Sequence, residues 1–121
     1  IEELSTGHLV RSVTEDLVTG KEVYLRSADT GRVRHRHTGM IVHYLDEDRF
    51  EIHPCDPASA RGTAAWRKSY ERGDWQAEVE TEVTVEALKD VWRVTAHLIA
   101  REGGTEIFRR DWSEDVPRDL V

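Results

Sequence analysis

The sequence predicts an all-β fold, an antiparallel β-sandwich, on three observations. Apolar residues recur with a period of two, turn residues interrupt the chain every dozen positions or so, and few windows hold an apolar stripe at helical spacing. With 121 residues, 38% of them hydrophobic and four of them Trp, the chain is expected to fold as a single domain around one core.

In chain order, residues 8–14, 22–28, 32–36, 40–44 and 50–53 are expected as strands. Thr19-Gly20, Asp29-Thr30-Gly31, Thr38-Gly39 and Asp46-Glu47-Asp48 are expected as the turns between them. Residues 54–60 hold Pro54 and Pro57, which lack ladder donors, so a crossover loop between two sheets is expected there. Residues 63–72, carrying Trp66 and Tyr70, then lead through Gly73-Asp74 into the next strand. A two-residue loop with glycine first suits a type II′ hairpin.

The most regular strand begins at Trp75. There Trp75, Ala77, Val79, Thr81, Val83 and Val85 alternate with Gln76, Glu78, Glu80, Glu82, Thr84 and Glu86, which predicts one buried and one wet face. Residues 91–101 place Trp92, Val94, Ala96, Leu98 and Ala100 on one side, and Glu102-Gly103-Gly104 turns the chain into a strand over 105–112.

Charge narrows the function classes. Seventeen Lys and Arg against 24 Asp and Glu leave a net charge of −7, which repels phosphate backbones and argues against nucleic acid as a partner. Arg32-Val33-Arg34-His35-Arg36-His37 is a basic exception best read as a solvated strand face, since no aromatic platform accompanies it. One cysteine, Cys55, excludes an intrachain disulfide. No apolar run is long enough to span a bilayer as a helix, and Ile1-Glu2-Glu3-Leu4-Ser5 does not resemble a signal peptide, so a soluble protein with no membrane partner is expected. A start at Ile1 rather than Met suggests a processed or excised piece.

The search for chemistry yields no catalytic, cofactor or metal residue to assign. Ser5, Ser12, Ser27, Ser59 and Ser69 lack the Gly-x-Ser-x-Gly frame that a nucleophile elbow requires. His35-x-His37 and His53-x-Cys55 have a spacing that can place two ligands on one strand face, but nothing nearby closes a coordination sphere. Glu78, Glu80 and Glu82 read as a solvent face that discourages edge pairing rather than as glycosidase acids. Asp46-Glu47-Asp48 is too short a donor loop for calcium. Trp66, Trp75, Trp92 and Trp112 are expected in the core, with sugar stacking as the alternative.

Four segments carry a resemblance. The ending Ile107-Phe108-Arg109-Arg110-Asp111-Trp112-Ser113-Glu114-Asp115-Val116-Pro117-Arg118-Asp119-Leu120-Val121 resembles the C-terminus of hydrolases in the cocaine-esterase and X-Pro dipeptidyl-peptidase family. His53-Pro54-Cys55-Asp56-Pro57-Ala58-Ser59-Ala60-Arg61, Arg72-Gly73-Asp74-Trp75 and Glu102-Gly103-Gly104 look like that family in the same order. The part before Phe50, including Val13-Thr14-Glu15-Asp16 and Thr19-Gly20, matches more loosely.

The resemblance implies a jelly-roll sandwich of the galactose-binding type, ending in an acidic turn and a Pro-Arg-Asp-Leu tail, that follows an α/β-hydrolase domain bearing the Ser, Asp and His of the triad. The chemistry of Pro117 to Val121, an extended proline, a fork-shaped Arg118, an accepting Asp119 and apolar Leu120 and Val121, predicts that this tail is a docked structural clamp. None of those three falls on a residue here. The implied role is non-catalytic: stabilising or shaping the active site of an adjoining hydrolase domain. A family jelly roll is longer than this chain, so missing strands and pairing of two copies through an exposed edge are also implied. The alternative from the residues alone is a free-standing module that binds a carbohydrate or another small ligand.

Overall fold

A computed structural model describes residues 1–119. The chain is all-β, a single open antiparallel sheet of eight strands without helix among the described residues. The strands are β1 (Glu2–Glu3), β2 (His8–Glu15), β3 (Glu22–His35), β4 (Met40–His53), β5 (Asp56–Arg72), β6 (Trp75–Ala87), β7 (Val91–Glu102) and β8 (Thr105–Pro117). From β3 onward each strand pairs with its successor, a pure meander. β1 and β2 share the far side of β3, one on each half of it.

The Gly73-Asp74 hairpin forms as the sequence predicts. Gly73 has φ 59° and Asp74 a negative φ, the II′ combination whose twist matches the flanking strands. β6 and β7 lie within a residue of their expected bounds.

Elsewhere the strands are longer than expected, and each difference has a local cause. Asp29-Thr30-Gly31 is not a turn but a bulge inside β3, where the register to β4 slips between Asp29 and Arg32. Asp46-Glu47-Asp48 lies in mid-β4, paired on both sides. Its acids remain near water because neither sheet face is sealed, and Asp48 meets Arg26 at 3.4 Å.

Residues 54–60 do not cross between sheets. β4 turns straight into β5 through Pro54-Cys55, and the prolines are accommodated because the register breaks there, between Glu51 and His53. Ser59 Oγ stands in for a ladder partner. It accepts the His53 N–H at 2.8 Å and donates to the Asp56 carbonyl at 2.6 Å. The acidic turn expected at Ser113-Glu114-Asp115 is strand, since β8 continues to Pro117.

Directly paired residues share a face, so the register assigns the two surfaces. One row runs Val13, Tyr24, Phe50, Gly62, Val85 and Val94 from β2 to β7. A parallel row holds Ala64, Val83, Ala96 and Trp112. All four tryptophans stand on this apolar face, and the opposite face carries the charged alternates, Glu78, Glu80, Arg67 and Arg101 among them.

The expected burial of the tryptophans does not occur. Trp75 and Trp112 are 42% and 43% exposed, Trp66 and Trp92 are half-buried, and among the described residues only Gly31, Val42, Ala87 and Ile99 are buried. Alternation identifies which face is apolar; it carries no information about whether a second layer lies over it.

Candidate functional site

The accessible surface of 8522 Å² exceeds the roughly 6,700 Å² typical of a folded monomer of this mass by about 1,800 Å². The surplus follows from the single-layer architecture, and its apolar part lies on the face just described.

At the β2 end of that face lies a hollow of about 440 Å³ lined by Val13, Tyr24, Phe50, Ile52, Val85 and Trp92. Tyr24 and Phe50 stack across β3 and β4 with centroids 6.1 Å apart. Phe50 lies over Gly62 of β5, where an added Cβ would come within 2.8 Å of the ring, so the missing side chain is what lets the ring lie down on the sheet. Further along, the Lys68 ammonium sits 5.2 Å from the Tyr44 ring centre and 4.9 Å from that of Trp66, leaving a cation in an otherwise aromatic strip.

The opposite face is a lattice of ion pairs. Arg67 reaches Glu78 at 3.1 Å and Glu80 at 3.3 Å, and Arg101 reaches Glu80 at 3.1 Å and Glu78 at 3.4 Å. Beside the lattice a polar hollow of about 260 Å³ is lined by Leu45, Glu47, Arg67, Glu82 and His97. The basic stretch is spent in the same way: Arg32 pairs with Glu71 at 2.6 Å and Arg34 with Glu2 at 3.0 Å.

The candidate chemical residues are dispersed. His35 ends β3 while His37 falls in the following turn, and His53 ends β4 with exposed Cys55 in the next turn. Among the described residues no three His, Cys, Asp or Glu side chains gather as a metal site. Ser5 and Ser59 hydroxyls are bonded to backbone, and Ser12, Ser27 and Ser69 lie within strands.

Sequence reasoning missed one pair. His43 Nε2 lies 2.7 Å from Asp29 Oδ1 across the β3 bulge, and the same oxygen accepts the Gly31 N–H at 2.7 Å. The bulge that brings them together was the feature read as a turn, so no spacing signal pointed to it. No serine hydroxyl bonds to that histidine among the described residues, and the Thr30 hydroxyl is tied to the Gly31 and Tyr44 backbone. The pair braces the bulge.

The tail is docked. The Arg118 N–H donates to the Asp90 carbonyl at 2.9 Å, its Nη1 donates to the Leu88 carbonyl at 2.6 Å, and its guanidinium lies 4.9 Å from the Trp92 ring centre. Residues 120–121 of the expected clamp lie outside the described residues.

Five carboxylates titrate below their ordinary values, Asp16, Asp29, Glu51, Glu80 and Asp115. The Gly31 N–H and then His43 hold Asp29 down, the Arg101 guanidinium holds Glu80 down, and the Arg93 guanidinium holds Asp115 down. The folded state therefore binds fewer protons than the unfolded one in acid. The stability these groups add is complete above their ordinary values of 3.8 for Asp and 4.5 for Glu, and it is lost as pH falls through the lowered ones. The melting temperature is expected to stay level from neutrality to about pH 5 and to fall below about pH 4. Circular dichroism melts across that range check it, and a rise between pH 4 and 3 would contradict the assignment.

Compared with known proteins, the chain matches no family model, no curated protein and no solved structure. Among the described residues no helix is long and apolar enough to cross a membrane. What fold and surface define is an open, one-layer antiparallel meander with one aromatic face and one ionic face.

Proposed function

We propose that this chain is a non-catalytic accessory domain of a larger serine hydrolase of the X-Pro dipeptidyl-peptidase and esterase kind. On this reading its aromatic face is the surface on which the adjoining α/β-hydrolase domain sits. The carrying observation is that face: four tryptophans, Tyr24, Tyr44, Tyr70 and Phe50 project from one side of a sheet that has no second layer.

Each 100 Å² of apolar area that a neighbour covers is worth about 2.5 kcal/mol before ordering costs. A face of this size therefore favours a permanent neighbour over a passing one. The four ordered segments that resemble the hydrolase family support a hydrolase domain as that neighbour, and the docked Arg118 fits the clamp expected of the tail.

The chain alone is expected to leave activated esters and X-Pro anilides intact and to light up the apolar dye ANS. The full-length protein encoded by its gene is expected to hydrolyse one of those substrates and to bind the dye weakly. Turnover by the chain alone that a serine-directed reagent abolishes would sink the proposal, as would equal dye binding by both forms.

A second reading, a module that stacks sugar rings, is favoured by the exposure of Trp75 and Trp112. However, the hollow on the aromatic face is lined by Trp92 alone among the four tryptophans. Titration with oligosaccharides, followed by tryptophan fluorescence, separates the readings: saturable quenching supports the module.

A further inference from the structure

The two sheet edges are not alike. On one side β1 and β2 divide the edge between them and the irregular residues 4–7 interrupt it, so its longest ladder is the eight residues of β2. On the other side β8 presents 13 residues, all exposed, paired only with β7 among the described residues.

Such an edge is a template for another strand unless it is blunted by charged side chains, proline or a bulge. In β8 the proline is the last residue and the one register shift lies at the start, opposite Ala100 and Arg101, while the charges, Arg109, Arg110, Asp111, Glu114 and Asp115, are of both signs. From Ile107 to Val116 the outer backbone is regular, and the charges repel a like strand only in registers that set equal signs face to face.

We infer that β8 pairs antiparallel with β8 of a second copy of this chain, about a two-fold axis through Trp112, joining the two sheets into one. A two-fold perpendicular to the sheet puts both apolar faces on the same side, so even-numbered residues of β8 oppose even-numbered ones. Centred on Trp112, the ring meets Trp112 of the partner subunit, Arg110 meets Glu114 of the partner subunit, and Phe108 meets Val116 of the partner subunit. On the ionic face Arg109 meets Asp115 of the partner subunit, a carboxylate that Arg93 already holds within its own chain at 2.9 and 3.1 Å. Aromatic, apolar and opposite-charge pairs are those that stabilise antiparallel ladders.

Neighbouring registers lose this match. Shifted one way, Asp111 opposes Asp111 of the partner subunit and Arg110 opposes Trp112 of the partner subunit. Shifted the other way, Trp112 opposes Glu114 of the partner subunit and Arg110 opposes Val116 of the partner subunit. The Arg110 guanidinium already lies 4.9 Å from the Trp112 ring centre, so the central group is assembled before association. Although Trp112 and Phe108 stand on the aromatic face, the pairing is made by the outer backbone of β8, so the inference stands or falls apart from the function proposed above.

Sedimentation equilibrium of the whole chain is expected to give twice the monomer mass. Arg110→Glu alone and Glu114→Arg alone each set like charges face to face and are expected to weaken the dimer at least tenfold. The double variant Arg110→Glu/Glu114→Arg, and an equimolar mixture of the two single variants, are expected to restore it. Trp112→Cys in a Cys55→Ser background is expected to form a disulfide-linked dimer on mild oxidation, whereas Arg110→Cys in the same background is not. A monomeric wild type, a dimer indifferent to the charge reversals, or cross-linking at residue 110 in preference to 112 overturns the inference. Far-ultraviolet circular dichroism of each variant separates loss of pairing from loss of fold.

Discussion

Replacing Gly31 by valine is expected to lower stability by about 3 kcal/mol or more, the largest effect of any single substitution considered for this chain. Two costs combine. Gly31 has φ +72°, where a Cβ, and a branched one above all, meets the following carbonyl at roughly 1–2 kcal/mol. The added carbon would also overlap the Ser5 carbonyl oxygen and approach the Gly7 nitrogen to 2.8 Å, both of them backbone atoms that cannot swing aside.

The site matters because the chain between β1 and β2 crosses here. Leu4 and Ser5 N–H groups donate to the Arg32 carbonyl at 2.8 and 3.2 Å, and the Arg32 N–H donates to Ser5 Oγ at 2.8 Å. A melting temperature lower by roughly 10 °C or more is expected, together with faster hydrogen exchange at Leu4 and Ser5. Gly20→Val is the control. It has φ +78° but open space around it, so it carries the torsional cost alone. Equal losses for the two variants would remove the crossing as the cause.

Arg118→Ala is expected to destabilise by about 2 kcal/mol, summing a charged, partly buried hydrogen bond and a cation–π contact. Its guanidinium ties the end of β8 to the Leu88 carbonyl in the β6–β7 turn and covers Trp92. The substitution frees both at once. Arg118→Lys keeps the charge but loses the planar fork and is expected to recover less than half of the loss. Thermal melts of the two variants and of a chain ending at residue 116 check this, and an unchanged transition in all three would refute the clamp.

Strands whose two faces differ were legible in the sequence, and strands whose faces do not were broken up. β6 was legible from Trp75 to Glu86 because each Glu falls on the ionic side and each Val on the aromatic side. β3 and β4 read as two strands each, because Asp29-Thr30-Gly31 and Asp46-Glu47-Asp48 have turn composition. In a sheet open on both sides an acidic residue can stay in mid-strand and still reach water or a guanidinium, as Asp48 does, so composition loses its power to mark turns there.

The apolar phase of all four tryptophans was equally legible, and their exposure was not, because it depends on what stands opposite the sheet. The His43–Asp29 pair was hidden for a different reason. It exists only because a bulge in β3 shifts the register, and nothing in the spacing of the two residues encodes that shift.

A meander in which the backbone of each strand nears only that of its hydrogen-bonded neighbours also has a distinctive way of coming apart. Among the described residues the Arg32–Glu71 ion pair reaches from β3 to β5, but no backbone proximity links alternate strands, so the loss of an outer strand does little by itself to dismantle the next. Opening is therefore expected to proceed by peeling from both margins, with amide protection greatest in β4 and β5 and fading outward, rather than by one all-or-none event. Whatever lies across the aromatic face would bridge strands that are strangers to one another and make the sheet melt as a unit.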